Sequence, residues 1–126
     1  MILLPSAVRV YVAAEATNLR QSFEGLSNAV RHVVGKDPLS GHVFAFLNRR
    51  RTQVKLLLWT RGGFTIVHKR LERGRFAFSV NLSPNARAVE LGADELAMLL
   101  EGIDLISAKK SRRWQPASRG LSAPSP

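Results

Sequence analysis

The chain has 126 residues and a formal net charge of +10, because 19 Lys and Arg stand against 9 Asp and Glu. Its length fits one domain, and its 45% hydrophobic and 22% charged content is typical of a globular protein, which excludes a wholly disordered chain. The absence of cysteine excludes disulfides and thiolate zinc sites, whereas the positive charge indicates an anionic partner, nucleic acid before a membrane surface.

The chain begins without the marks of a secretory signal. Residues 1–5 are largely apolar, but the stretch is short and no basic residue precedes it. No segment reaches the roughly 18 uninterrupted apolar residues of a spanning helix. We therefore expect a cytoplasmic protein that does not enter a membrane.

The first predicted elements are a strand and a long helix. Valines at every second position predict a half-buried strand over residues 7–13. A helix is predicted over residues 18–34, because Thr17 or Asn18 can cap its start and Gly35 suits the left-handed residue after its end. The apolar stripe expected to pack on a sheet comprises Leu19, Phe23, Leu26, Val30 and Val33.

Short apolar runs separated by turn residues follow the helix. They predict an antiparallel meander of strands over residues 43–47, 53–60 and 64–70. A further short strand from Arg75 to Val80 could pair after the next turn, although the residues before it leave its register open.

A short C-terminal helix is predicted from Glu95 to Glu101, with Asp94 as its N-cap and Gly102 as its stop, and its leucines would cover the sheet. The predicted fold class is α+β: one long N-terminal helix packed on a mainly antiparallel sheet of about four to five strands, then the short helix. Residues 1–106 are expected to form this single domain, and residues 107–126 a basic, Pro/Ser-rich, disordered tail.

Two predicted turns concentrate positive charge. Their cations are Arg49, Arg50 and Arg51 in the first turn and Lys69, Arg70, Arg73 and Arg75 around the second. Long Arg side chains at hairpin tips can make bidentate contacts to phosphates. Alternatively, basic turns protect edge strands and keep a protein soluble. The tail adds four Lys and Arg between residues 109 and 113 without an acid, which favours nucleic-acid contact.

The strand over residues 53–60 places Lys55 and Trp59 on one face and its even-numbered apolar residues on the other, which is the core face. An exposed basic and aromatic face could hold single strands or distorted duplex, with the ring stacking on bases and the cation on phosphates. The alternative is that Trp59 is buried under the C-terminal helix and Lys55 is merely solvated.

The sequence offers little for catalysis or metal binding. His32, His42 and His68 are far apart and form no HxxxH pair, so each is expected to be structural, with no metal and no cofactor. No nucleophile elbow, P-loop or dinucleotide fingerprint occurs. Strand transfer needs clustered carboxylates that hold two metal ions, and the predicted elements bring none together. We therefore expect that the protein is not an enzyme.

Several stretches, taken together and in order, resemble one family. They are Val8–Val12 with Thr17–Leu26, then Asp37–Phe46, Lys55–Trp59, Gly63–Phe64 and Lys69–Phe76. They resemble the TnpB-type accessory proteins of the insertion-sequence sixty-six family. The similarity covers residues 5–105, and the block Lys69–Phe76 is its most specific part.

The resemblance implies a bacterial mobile-element protein, encoded beside a separate transposase that carries the catalytic acids, and needed for transposition. That family is unrelated to the RNA-guided nuclease that shares the TnpB label. The sequence departs from the family pattern at three places. Asn18 stands where Asp is frequent, Gln21 where Lys is frequent, and Thr60-Arg61 where an Asp usually follows the tryptophan. If that acid has a role in the family, this copy lacks it.

Two functions therefore remain open. In the first, a DNA-binding accessory protein positions element ends or target DNA for the transposase. Its expected contacts are Arg49, Arg50, Arg51, Lys55, Lys69, Arg70, Arg73 and Arg75. In the second, a protein-interaction module docks its Lys69–Phe76 block and Trp59 on the transposase. An exposed edge strand could support a dimer, but the sequence sets neither the oligomeric state nor the DNA recognised.

Overall fold

The computed structural model describes residues 7–77 and 85–101, which form a five-stranded sheet and two helical segments. The strands are β1 (Val10–Ala13), β2 (Val43–Leu47), β3 (Gln53–Thr60), β4 (Gly63–Arg70) and β5 (Ala88–Leu91). The helical segments are α1 (Phe23–Ala29), which continues as a π-helical turn (Val30–Val34), and α2 (Ala93–Leu100).

The sheet is mixed, with the strand order β4-β3-β2-β1-β5. Strands β2, β3 and β4 form the antiparallel meander that the sequence predicts. Strand β1 lies parallel to β2, with Val10 opposite Val43, and β5 lies antiparallel to β1, with Leu91 opposite Val10. Parallel neighbours cannot be joined by a tight turn, so the connection from β1 to β2 carries α1.

Helical segments cover both faces of the sheet. Successive side chains of the central strands point to opposite faces, so these strands contribute to a buried cluster on each side. The cluster under α1 and the π turn comprises Ala13, Leu26, Val30, Val34, Phe44, Phe46 and Leu57. The cluster on the opposite face includes Leu96, Leu99 and Leu100 of α2 with Val10, Val12, Val43, Ala45, Leu47, Val54, Leu56 and Leu58. The expectation that the C-terminal helix covers the sheet is therefore confirmed.

The predicted long helix over residues 18–34 is wrong. Asn18 Oδ1 accepts a hydrogen bond from the backbone N–H of Arg20 (3.0 Å), and this bond closes a local turn instead of starting a helix. The α-helix begins only at Phe23 and contains seven residues before the π turn. The fold is thus α+β-like with two short helical segments, not with one long N-terminal helix.

The π turn changes which valine faces the sheet. A π turn closes on the fifth residue rather than the fourth, so the side chains that follow are rotated relative to an α-helix. Val34 is accordingly buried, whereas Val33 is 48% exposed and Phe23 is 44% exposed. Two members of the predicted stripe therefore lie outside the core. Gly35 ends the segment with φ at 79°, the left-handed conformation that the sequence predicts.

The predicted sheet is also corrected. It is mixed, because β1 pairs in parallel with β2, although the other three strand pairings are antiparallel as predicted. Strand β1 is shorter than the predicted range 7–13. Residues 75–77 are not in a strand, and the remainder of the candidate strand Arg75–Val80 lies outside the described residues. Strand β5 was not predicted, since its four residues are too few and too mixed in polarity to give a periodic signal.

Helix α2 begins earlier than predicted, with Gly92 rather than Asp94 at its N-cap. Glu95 Oε1 accepts a hydrogen bond from the backbone N–H of Gly92 (3.0 Å), and so satisfies a donor outside the helical ladder. Asp94 lies in the first turn, where a carboxylate is favoured by the helix dipole. The predicted stop at Gly102 and the tail 107–126 lie outside the described residues.

Candidate nucleic-acid interface

Arg49–Arg51 lie at the tip of the β2–β3 hairpin, and hydrogen bonds from the Asn48 side chain stabilise the turn. Asn48 Oδ1 accepts hydrogen bonds from the backbone N–H groups of Thr52 (2.9 Å) and Gln53 (3.0 Å), and Asn48 Nδ2 donates to Thr52 Oγ1 (3.0 Å). Arg51 has φ at 59°, a conformation that is uncommon outside glycine and that these bonds stabilise. All three arginines are exposed.

The second basic turn lies directly beside this hairpin. The backbone N–H of Leu71 donates to the carbonyl oxygen of Thr52 (2.9 Å), and that of Phe76 donates to the carbonyl oxygen of Arg51 (2.6 Å). The side chain of Phe76 is buried in the core and anchors the segment. The two sets of cations are about twenty residues apart in sequence, but the fold brings the turns that carry them together at one end of the sheet.

We call residues 48–53 and 69–76 together the basic end of the sheet. It contains seven Lys and Arg and one acid, which leaves a net charge of +6. Six of the cations are arginines, and all six are exposed. The acid, Glu72, lies 3.4 Å from Arg70, but their side chains are 82% and 67% exposed, so water screens the pair strongly.

Two of the predicted DNA-contact residues donate hydrogen bonds to backbone carbonyl groups. Lys55 Nζ donates to the carbonyl oxygen of Gln21 (2.9 Å), and Lys69 Nζ donates to that of Leu100 (2.7 Å). Both lysines are half-buried. Lys55 connects the approach to α1 with the sheet, and Lys69 connects the end of α2 with the opposite face. Direct DNA contact by either lysine stays a prediction.

Trp59 lies away from the basic end. Its half-buried ring packs edge to face with Phe64, with ring centroids 4.9 Å apart, beside the β3–β4 turn at the other end of the sheet. Trp59 shares a face with Leu57, which belongs to the α1 cluster, so it does not pack under α2. The buried Leu57 also separates Trp59 from Lys55, and the two do not form a continuous exposed platform.

A cavity of about 380 Å³ lies beside the hairpin, lined by residues 16–19 and 48–50. The backbone N–H of Thr17 donates to the carbonyl oxygen of Leu47 (2.8 Å) and fixes one wall against the end of β2. Asn18, one of the departures from the family pattern, lines this wall. The sequence does not indicate this cavity, because Thr17 and Asn18 resemble the capping residues of a helix.

His68 lies on β4 between two cations. Burial, and then the positive charges of Lys55 and Arg70, lower the pKa of His68 below its usual value of 6.5. Its Nε2 atom lies 2.8 Å from Oε1 of Gln53, within hydrogen-bonding distance. The imidazole is therefore mainly neutral at pH 7. The pair of His68 and Gln53 could not be predicted from the sequence, because the two residues lie on neighbouring strands.

We expect an NMR titration to give His68 a pKa below 6.5 in the free protein and a higher pKa in the DNA complex. Phosphates near Lys55 and Arg70 would favour the imidazolium form. Since the folded chain binds this proton less readily than the unfolded chain, the contribution of His68 to stability decreases as the pH falls below 6.5.

The control for this titration is His42, which precedes β2 at the opposite end of the sheet. His42 Nδ1 accepts a hydrogen bond from the backbone N–H of Arg9 (3.0 Å). DNA bound at the basic end should leave the imidazole NMR signals of His42, recorded at constant pH, unchanged. A pKa of His68 that does not move at saturating DNA would place the DNA elsewhere.

Residues 7–77 and 85–101 contain no group of three His, Asp or Glu side chains that could hold a metal ion. The backbone oxygen of His32 accepts a hydrogen bond from Arg87 Nη2 (3.3 Å). Within the same ranges, none of the helices has the length and apolar character needed to span a membrane.

Comparison with known proteins matches residues 8–110 to a family described as IS66 Orf2 like protein. The uncharacterized protein y4hO of Sinorhizobium fredii is 34% identical over 121 residues, which cover 94% of this chain and 100% of that protein. The uncharacterized protein y4jC of the same organism is 27% identical over 111 residues, which cover 86% of this chain and 91% of that protein. No solved structure matches.

The matched residues include both turns of the basic end and the walls of the cavity. The resemblance inferred from the sequence is therefore confirmed. The family is one of accessory proteins and not a known family of enzymes. The chain belongs to the IS66 Orf2-like family, which implies an accessory role associated with transposition.

Proposed function

We propose that this protein assists transposition by binding DNA through the basic end, without catalysing strand cleavage or transfer. The observation that carries the proposal is the pair of backbone hydrogen bonds, Leu71 to Thr52 and Phe76 to Arg51, that places two turns with six exposed arginines at one end of the sheet. Cations on turns that are already fixed lose less conformational freedom on binding than cations on separate mobile loops. The basic end is therefore suited to a polyanion.

The contacts would be mainly to phosphates. The forked donors of arginine fit phosphate oxygens, and such contacts position DNA without reading its sequence. The uncharged polar side chains of the basic end are already engaged: Asn48 bonds to Thr52 and to the hairpin backbone, and Gln53 lies against His68. Few groups remain to read base edges, so we expect weak sequence preference.

A docking surface for the transposase is the competing function, and it requires exposed apolar anchors. Phe76 of the Lys69–Phe76 block is only 1% exposed. Trp59 is half-buried and already packs against Phe64. The aromatic groups that this function would use are thus largely occupied within the fold, which supports DNA as the direct partner.

Arginine-selective modification with phenylglyoxal, read by mass spectrometry, tests where DNA binds. Bound DNA should slow the modification of Arg49–Arg51, Arg73 and Arg75. Arg61 is the matched control, because it is exposed in the β3–β4 turn at the opposite end of the sheet. Equal protection of Arg61, or no protection of the basic end by saturating DNA, would contradict the proposal.

We expect no cleavage of element-end DNA by the pure protein in Mg²⁺ or Mn²⁺. Two-metal chemistry requires carboxylates that converge on the same ions. Asp37 accepts a hydrogen bond from the backbone N–H of Leu39 (2.9 Å) in a loop, whereas Asp94 lies in the first turn of α2. Metal-dependent cleavage that a single Asp or Glu substitution abolishes would contradict this prediction.

A further inference from the structure

We propose that the cavity lined by residues 16–19 and 48–50 receives one unpaired nucleotide of a DNA strand held at the basic end. This inference rests on the proposed function, because the arginines must first hold the strand. The ligand class is an unpaired deoxynucleotide, in a bulge or at a junction between duplex and single strand.

The size and position of the cavity support this ligand. Its volume of about 380 Å³ lies within the usual range of small-ligand pockets. Arg49 and Arg50 line the cavity and also belong to the hairpin tip, so a strand whose phosphates lie on the tip passes the cavity mouth. A base stacked inside a duplex cannot enter such a pocket, whereas an extruded or unpaired base can.

The walls supply the contacts that a nucleotide requires. The guanidinium planes of Arg49 and Arg50 can stack on a base or bind its phosphate. Leu19 adds an apolar surface to the wall. Asn18 uses Oδ1 to accept the backbone N–H of Arg20, which leaves Nδ2 to donate to a base carbonyl or ring nitrogen. The cavity is therefore both cationic and able to contact a base directly.

The cavity is also formed before any ligand binds. One wall is fixed by the bond from the Thr17 N–H to the Leu47 carbonyl oxygen (2.8 Å). The other wall is fixed by the bonds of Asn48 within the hairpin. Because little ordering is needed on binding, the base should add measurable affinity rather than only fill space.

Fluorescence anisotropy with two labelled duplexes tests this site. Both carry a one-nucleotide bulge, but in the second the bulged nucleotide is abasic, so the two probes have the same length and charge. The intact protein should bind the base-bearing bulge about tenfold more tightly, as expected for one stacked and hydrogen-bonded base.

Two leucine variants separate the cavity from the rest of the surface. Ala16→Leu places a larger side chain in the cavity wall without changing the charge, and should remove the preference for the base while leaving the affinity for the abasic probe unchanged. Ala7→Leu is the matched control at an exposed position near the opposite end of β1, and should retain the preference. If circular dichroism shows that Ala16→Leu does not fold, Asn18→Asp removes the amide donor, keeps the acceptor for Arg20, and should reduce the preference.

Equal affinity of the intact protein for the two probes would overturn the cavity proposal and leave the proposed function intact. A preference that persists in folded Ala16→Leu would also overturn it. Failure to bind either probe at low salt would overturn the proposed function, and the cavity proposal with it.

Discussion

Replacing Arg49, Arg50 and Arg51 together by Ala should flatten the plot of log affinity for DNA against log salt by about two to three units of slope. Each phosphate that a cation contacts releases counterions and contributes about −0.9 to this slope. If about six cations reach phosphates in the intact protein, the slope is near −5, and affinity falls about a thousandfold between roughly 50 and 200 mM salt.

The triple variant should keep its fold, since the bonds that shape the hairpin come from Asn48 and from the backbone. Circular dichroism and thermal unfolding check this. Removal of the residues after Ser107 is the control for the basic tail. If the tail alone binds DNA, truncation should remove most of the salt dependence of the affinity. The triple variant should then have the same salt dependence as the intact protein.

Phe46→Ala should lower the free energy of unfolding by about 3–5 kcal/mol, whereas Phe23→Ala should lower it by about 1 kcal/mol or less. Phe46 is fully buried between the sheet and the α1 segment, so its truncation removes apolar burial and leaves a cavity. Phe23 is 44% exposed at the start of α1. The first loss is a large part of the roughly 5–15 kcal/mol that stabilises a small domain.

Urea unfolding monitored by circular dichroism measures both changes, provided that the slope with denaturant stays constant. The apolar stripe in the sequence instead places Phe23 on the core face of a helix, which implies a loss of about 3–5 kcal/mol for Phe23→Ala as well. A loss of about 3–5 kcal/mol for Phe23→Ala would therefore support that arrangement and contradict the burial in the structure.

The elements that could be predicted from the sequence are those with local signals. Strands β2, β3 and β4 are short, largely apolar runs separated by turn residues, so their bounds follow from neighbouring residues alone. The parallel pairing of β1 with β2 joins Val10 to Val43, and the pairing with β5 joins Val10 to Leu91. The polarity pattern within one strand does not indicate which distant strand it pairs with.

The π turn is likewise contacted by a residue that is distant in sequence. Arg87 Nη2 donates to the carbonyl oxygen of His32 (3.3 Å), and its guanidinium lies where a side chain on residue 35 would be placed. Gly35 is therefore favoured by its positive φ, whereas the flexible Arg87 side chain could shift to make room for a larger residue. The sequence predicted the glycine stop but not the π geometry before it.

The charge of the candidate site could be predicted from the sequence, but its geometry could not. The two arginine-rich turns were evident, whereas their union depends on the hydrogen bond from Phe76 to Arg51. The sequence predicts Lys55 and Lys69 as DNA contacts, but in the structure each donates a hydrogen bond to a backbone carbonyl oxygen. Their acceptors lie 34 and 31 residues away along the chain, and only the folded sheet brings them together.

The most direct test of DNA binding is to add the intact protein to a labelled element-end duplex at about 50 mM salt and to measure the affinity. In a parallel experiment the protein is added to the labelled transposase of the same element. We expect the protein to bind the duplex without the transposase, and to lose that affinity steeply as salt is added. No binding to DNA at low salt together with tight binding to the transposase would contradict the proposal and make the protein an interaction module.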